Sequence, residues 1–332
     1  MIDYDKFYNQ SQRPEYKILS EVLNRTGILK HLKDPKITDI CIQDFGMLHL
    51  KDHNGTWHFD KNPSITELNV SALKNVVLNI NGRFVNATHP SEALSLPTGE
   101  RCHIVIPPVA EHGHIVIAVR KYIEQTFTLE DYERSGRFSM KKEAERKKVK
   151  LELDKLKSEK RWIEFFEKAV AERLNIAIAG SMGSGKTVFH KTLLNLVDPN
   201  LRVALIQTNK DVVMPHHPNH FHMFYAEHDL EMPSQILRDC LRLTIDIPII
   251  AEIRGGEAWD LLKMINIGHS GVIFTIHSND AKSTLDRIVD CCFDNPECQT
   301  KNPEHILQKV KDNLDLIIYM KRTHLDEVFI VN

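Results

Sequence analysis

No apolar run among the 332 residues approaches the roughly 20 needed to cross a bilayer, which excludes a membrane-spanning helix. The opening MIDYDKFYNQ has neither the basic start nor the apolar centre of a signal peptide. Six scattered cysteines form no disulfide framework, and Cys291-Cys292 with Cys298 lack the paired CxxC spacing of a metal knuckle. Neither sign of charge dominates. Lys+Arg total 43 against 45 Asp+Glu, leaving no global bias toward nucleic acid or anionic lipid. Internal repeats and low-complexity stretches are absent as well. A cytosolic chain with reduced thiols is the expectation. What is present, 42% hydrophobic and 27% charged residues, suffices for real cores under a soluble surface, and the length accommodates two domains.

Residues 14–33 carry apolar positions at helical spacing, broken at Gly27, and predict two short amphipathic helices. Ile37 to Ile42, Met47 to Leu50 and Thr56 to Phe59 read as short strands separated by turn residues. Val70 to Ile80 reads as a helix, and Arg101 to Ile106 with His114 to Arg120 as a strand pair. The first 124 residues are therefore expected to form a mixed α/β domain. Residues 125–161 turn into a lysine-rich run, SMKKEAERKKVKLELDKLKSEKR, with interspersed glutamates. That mixture favours a solvated linking helix, with Val149, Leu153 and Leu156 as its inner face, over a basic patch for phosphates.

From residue 162 to 332 strands and helices alternate, which implies a largely parallel sheet covered by helices. The expected strands are Ile176 to Ala179, Arg202 to Gln207, Ile247 to Ile253 and Gly271 to Ile276. Pro233 to Leu243 and Glu257 to Ile265 read as helices, and Leu314 to Met320 with Glu327 to Val331 as a closing hairpin. The first strand runs into Gly180-Ser181-Met182-Gly183-Ser184-Gly185-Lys186-Thr187, then a helix from Val188. Strand, glycine-rich loop and helix is the context in which G-x-x-x-x-G-K-[ST] cradles phosphates. Backbone N–H groups and the helix dipole face the anion. Lys186 would reach the β- and γ-phosphates of ATP, and the Thr187 hydroxyl would hold Mg²⁺.

Such a site needs an acid at a neighbouring strand end, and PIIAEIRGGE offers Glu252, with Arg254 close enough to pair with it. GHSGVIFTIHSND puts His277 at the far end of the next strand, where a ring N–H can sense the γ-phosphate. His269, before that strand, is the weaker candidate. His216, His217, His220 and His222 invite a zinc reading, but Pro215 and Pro218 interleave them and no ligand set is complete. A surface loop is the better expectation there.

These segments, in this order, resemble the hexameric ATPases of the type II/type IV secretion superfamily, and within it the traffic ATPases of type IV secretion systems. GSMGSGKT resembles the Walker A motif, IIAEIRGGEAWD the Walker B segment with glutamate in place of aspartate, and GHSGVIFTIH the histidine box. TGERCHIVIPPV and IAVRK resemble segments that present arginines to the nucleotide, which implies phosphate contacts for Arg101 and Arg120. FTLEDYERSGRF resembles the segment leading into the linker, and the tetracysteine insert of type II members is missing. The resemblance implies a RecA-like C-terminal domain and a homohexameric ring peripheral to the cytoplasmic face of a membrane. Inner-membrane components of a secretion complex would be its partners, with no strong sign of direct nucleic-acid binding. Mg-ATP would sit between the two domains, whose rocking turns phosphate loss into work.

One segment departs from the family. An acidic box of the form I-E-D-T-x-E is replaced by Ile206-Gln207-Thr208-Asn209-Lys210-Asp211. Gln207 can hydrogen-bond a water but cannot take its proton, which weighs against efficient hydrolysis and leaves nucleotide binding intact. A nucleotide-gated ring scaffold that hydrolyses little is therefore one alternative. A pilus assembly or retraction ATPase is another.

Overall fold

The computed structural model describes residues 2–121, 128–136, 138 and 142–331. Three helices, α1 (Tyr4–Gln10), α2 (Pro14–Arg25) and α3 (Ile28–Lys33), open the chain. The last two are the pair expected around Gly27. β1 (Ile37–Ile42), β2 (Met47–Asp52), β3 (Trp57–Lys61), α4 (Glu67–Ile80), β4 (Ser91–Ser95), β5 (Arg101–Val105) and β6 (Val116–Arg120) follow. The six strands form one sheet in the order β3-β2-β1-β6-β5-β4, with every neighbouring pair antiparallel. Leu19, Leu23, Val70, Leu73 and Val77 of α2 and α4 close one face of this sheet with Ile40, Ile42, Ile104 and Ile117.

The segment FTLEDYERSGRF lies partly outside the described residues; within it α5 (Leu129–Arg134) begins at a capping box of Thr128 and Asp131. The lysine-rich run forms α6 (Lys142–Ser158), whose Val149 and Leu153 are buried. Some of its charges find partners elsewhere in the chain. Arg146 and Lys150 both reach the buried carboxylate of Asp315, and Lys168 bridges to Glu152. These pairs, with the buried Val149 and Leu153, dock the helix on the rest of the chain.

The rest comprises α7 (Trp162–Ala171), β7 (Ile176–Gly180), α8 (Lys186–Leu194), β8 (Val203–Gln207), β9 (His220–Phe224), α9 (Met232–Cys240) and β10 (Ile247–Ile253). It continues through α10 (Glu257–Asn266), β11 (Ile273–Ile276), α11 (Ser283–Phe293), α12 (Pro303–Asn313), β12 (Leu316–Lys321) and β13 (His324–Ile330). Seven strands order as β13-β12-β7-β11-β10-β8-β9, all parallel except the β12–β13 hairpin. β7, β8 and β12 are buried on both faces, as a helix-covered parallel sheet requires. The histidine-rich stretch corrects the expectation of a surface loop. His220 and His222 lie in edge strand β9, and His217 and His222 are buried. No group of three or more metal-ligating side chains gathers among the described residues.

The two sheets meet over a polar seam. Arg202, fully buried, lies between the rings of Trp57 and Phe221 at 5.4 and 4.7 Å. Its guanidinium donates to Gln43 and Asn219 and, through Nε, to the Leu243 carbonyl. Asp246 accepts from Trp57 Nε1 at 2.7 Å, Lys51 Nζ at 2.8 Å and the Arg202 backbone N–H at 2.8 Å.

Burial also sets an acid limit. It lowers the pKa of His49 to about 3 and those of His190 and His222 to about 4, while the unfolded rings stay near 6.5. Depressed histidines contribute stability that is complete above pH 6.5 and lost as pH falls toward 4, because only the unfolded state takes up the protons. Unfolding free energy, followed by urea titration, is expected to be flat from pH 7 to 8. Below 6.5 it should fall by about 1.4 kcal/mol per pH unit for each such ring. A stability that holds level down to pH 5 would show that these rings are not held neutral.

Candidate nucleotide site

β7 delivers the phosphate loop because Ile176, Ala177, Ile178 and Ala179 are wholly buried between β12 and β11. Three glycines make the curl, with Gly183 at φ 72° in its middle. Gly180 has φ 151° and Gly185 φ 90°, both in the range that side chains disfavour. A Cβ on Gly180 would strike the Met320 carbonyl oxygen and, at 2.6 Å, Ser184 Oγ. α8 starts at Lys186, so Ser184, Gly185, Lys186 and Thr187 stand at its N-terminus. Ser181, Met182, Gly183, Thr187 and Val188 face solvent, Met182 being 92% exposed.

Lys186 is buried against its own loop. Its ammonium donates to the carbonyls of Gly180 at 2.8 Å and Ser181 at 2.9 Å, and burial lowers its pKa. His277 Nδ1 lies 3.3 Å from the same nitrogen. The other ring nitrogen, Nε2, stands 2.8 Å from Glu252 Oε1, near enough for an ion pair but off the line of a hydrogen bond. Glu252 Oε2 accepts from Arg254 Nε at 3.1 Å and Nη2 at 2.8 Å, and Arg254 Nη1 donates to Glu227. Those carboxylates hold the Arg254 pKa above its ordinary value, the bond to Glu252 foremost. The row Lys186–His277–Glu252–Arg254 follows from adjacency of β7, β11 and β10, whose carboxyl ends lie side by side.

This arrangement suits a Mg²⁺-bound polyphosphate. Glu252 Oε1 and Ser184 Oγ are buried without hydrogen-bond partners, and both border the loop that would hold the anion. A cleft of about 450 Å³ opens beside them, lined by Ser181, His277, Ser278, Asp286 and Arg287. His269 is not part of it, since it precedes β11 at the other end of that strand.

Arg101 and Arg120 are brought together, but not here. They face each other across β5 and β6, and Arg120 Nε lies 3.8 Å from Asp39 Oδ1. Asp39 in turn accepts from Thr244 Oγ1 at 3.0 Å, at the amino end of β10. Glu252 lies near the opposite end of that strand, about 17 Å away or more at 3.3 Å per residue. Within one copy of the chain, Arg101 and Arg120 thus stand toward the end of β10 opposite Glu252. The register of β6 against β1 sets Arg120 opposite Asp39, and that of β5 against β6 sets Arg101 opposite Arg120, which keeps the two arginines together at that end.

The altered acidic box has a structural role. Gln207 Oε1 accepts from the Val212 N–H at 2.9 Å, while Nε2 donates to the Val212 carbonyl at 3.0 Å and to His222 Nδ1 at 2.9 Å. A carboxylate there would leave the Val212 carbonyl without its donor. Sequence reasoning missed Glu227, which follows β9 and carries no motif, and the turn at Arg322-Thr323 that abuts the phosphate loop.

Comparison with known proteins agrees with this geometry. A family model described as "Type II/IV secretion system protein" matches residues 69–320. The Brucella suis type IV secretion system protein VirB11 is 29% identical over 297 residues, covering 87% of this chain and 82% of its own length. PtlH of Bordetella pertussis is 29% identical over 294 residues, covering 86% of each. The crystal structure of the Brucella suis VirB11 ATPase in complex with sulphate superposes with a TM-score of 0.85 at 27% identity, over 94% of this chain and 97% of that one. The chain thus belongs to the type II/IV secretion ATPase family and, within it, to the traffic ATPases of type IV secretion systems.

Proposed function

We propose that the protein is an ATP-driven motor that powers assembly of, or transport through, a type IV secretion or conjugation system. The observation that carries this reading is the row of Lys186, His277 and Glu252 beside the glycine loop. Lys186 would exchange the Gly180 and Ser181 carbonyls for phosphate oxygens, and backbone N–H groups from Gly183 to Val188 would hold the rest of the chain. Thr187 and Glu252 would hold Mg²⁺, which neutralises charge on the β- and γ-phosphates. Glu252 would accept the proton of the attacking water, and His277 would report the γ-phosphate to it.

The working form would be a homohexameric ring. Arg120, 62% exposed at its side chain, and Arg101 beside it would then serve the phosphates of a neighbouring copy rather than of their own. Attachment to the cytoplasmic face of a membrane would run through inner-membrane components, for no helix among the described residues is long and apolar enough to cross one. The scaffold reading has one observation in its favour, the Gln207 staple in place of an acid. Mg-dependent phosphate release separates the two. Turnover that disappears in Lys186→Ala is the expected result, whereas wild-type release no faster than that variant, with ATP still bound, favours the scaffold.

A further inference from the structure

The hairpin turn between β12 and β13 stands against the phosphate loop at both of its ends. Met320 pairs with Gly180 in the sheet, and its carbonyl occupies the space a Gly180 side chain would need. Three residues on, the Thr323 N–H donates to the Ser184 carbonyl at 3.1 Å, and Thr323 Cα lies 3.3 Å from where a Gly185 Cβ would be. The turn is thus fixed to the loop from strand end to helix start.

Its residues do not suit its backbone. A two-residue hairpin loop with both φ positive is built most easily from Asn-Gly. Here Arg322 and Thr323 take φ 47° and 68°. Strain of this kind persists where the surroundings over-determine it, and it concentrates at ligand clamps. Lys321, Arg322 and His324 make the turn basic, and all three are exposed. Among the described residues no acidic group pairs with Lys321 or Arg322, so neither cation is committed to the fold.

Sheet order tells which part of a bound nucleotide the turn would meet. β12 and β11 flank β7 on opposite sides. His277 and Glu252 occupy the β11–β10 flank, where the terminal phosphate is hydrolysed on the reading above. A nucleotide lying across the loop directs its other end toward β12 and β13. We propose that the Arg322-Thr323 turn is a clamp on the nucleoside end of the nucleotide, with the Arg322 guanidinium as its contact. Arginine is suited to this, since its planar fork can stack on a base or donate to ribose oxygens.

The inference rests on the nucleotide-site reading, and calorimetry can fail the two separately. Mg-ATP and inorganic Mg-tripolyphosphate are titrated into the full chain, its Lys186→Ala variant and Arg322→Asn. Asparagine accepts the left-handed backbone, so the melting temperature should stay level or rise. The expected result is about tenfold weaker ATP binding in Arg322→Asn with tripolyphosphate binding unchanged. ATP binding within twofold of wild type, when Lys186→Ala has lost both ligands, overturns the clamp. Equal weakening of both ligands also overturns it, because the contact would then be to phosphate alone. Binding of neither ligand by the wild type overturns the nucleotide site itself. Should Arg322→Asn melt lower, Arg322→Gly, which takes the same backbone without strain, replaces it under the same criteria.

Discussion

Glu252→Gln is expected to bind Mg-ATP with affinity close to wild type while turnover falls by a factor of about 10²–10⁴. The substitution keeps shape and hydrogen bonding. An amide oxygen can still accept from Arg254, which now donates to Oε2 at 3.1 and 2.8 Å. Lys186 and the glycine loop do not depend on Glu252 for their position, since the ammonium is held by the Gly180 and Ser181 carbonyls. What disappears is the only change of state the residue offers. A carboxylate can take a proton from water and an amide cannot. Phosphate release measured beside calorimetric affinity separates the two roles. Turnover at the wild-type rate would remove Glu252 from the chemistry and direct attention to Asp286 or Asp290 at the mouth of the same cleft.

Local rules made one half of this site legible and left the other obscure. The Ile176 to Ala179 strand, the glycine loop and the helix beyond it are consecutive in sequence, so motif and context could be read together. Glu252 and His277 were readable for a related reason, as each ends a short apolar strand and parallel strands present those ends on one side. Edge strands were harder. β4 is the polar stretch SEALS, paired only with β5, and β9 is HFHMF behind a run of His and Pro. Neither has the long apolar run or clean alternation that marks a strand, because an edge does not demand it. The position of Arg101 and Arg120 lay out of reach altogether. It depends on how the two sheets dock, and residues from 43 to 246, far apart in sequence, decide that together.

Arg202→Ala is expected to destabilise the protein by about 3–5 kcal/mol and to loosen the two sheets from each other. Arg202 is completely buried, and truncation leaves three acceptors without their donor: Gln43 Oε1, Asn219 Oδ1 and the Leu243 carbonyl. A void would open between Trp57 and Phe221, whose rings now sandwich the guanidinium. Trp57 and Lys51 would still donate to Asp246, so the seam would weaken rather than vanish. That difference gives the prediction its signature. Urea unfolding, followed by tryptophan fluorescence, should show the N-terminal sheet releasing at lower urea than in the wild type, because Trp57 sits at the seam. Arg202→Met restores the volume without the charge or the donors, and should recover the part of the loss that comes from the void. A single transition within 1 kcal/mol of wild type, about the size of one ordinary hydrogen bond, would show that the seam does not depend on this arginine. On the proposed motor function, force passing from one sheet to the other needs such a seam to hold while nucleotide turns over. The same variant should therefore lose transport in cells by more than it loses ATP turnover in solution.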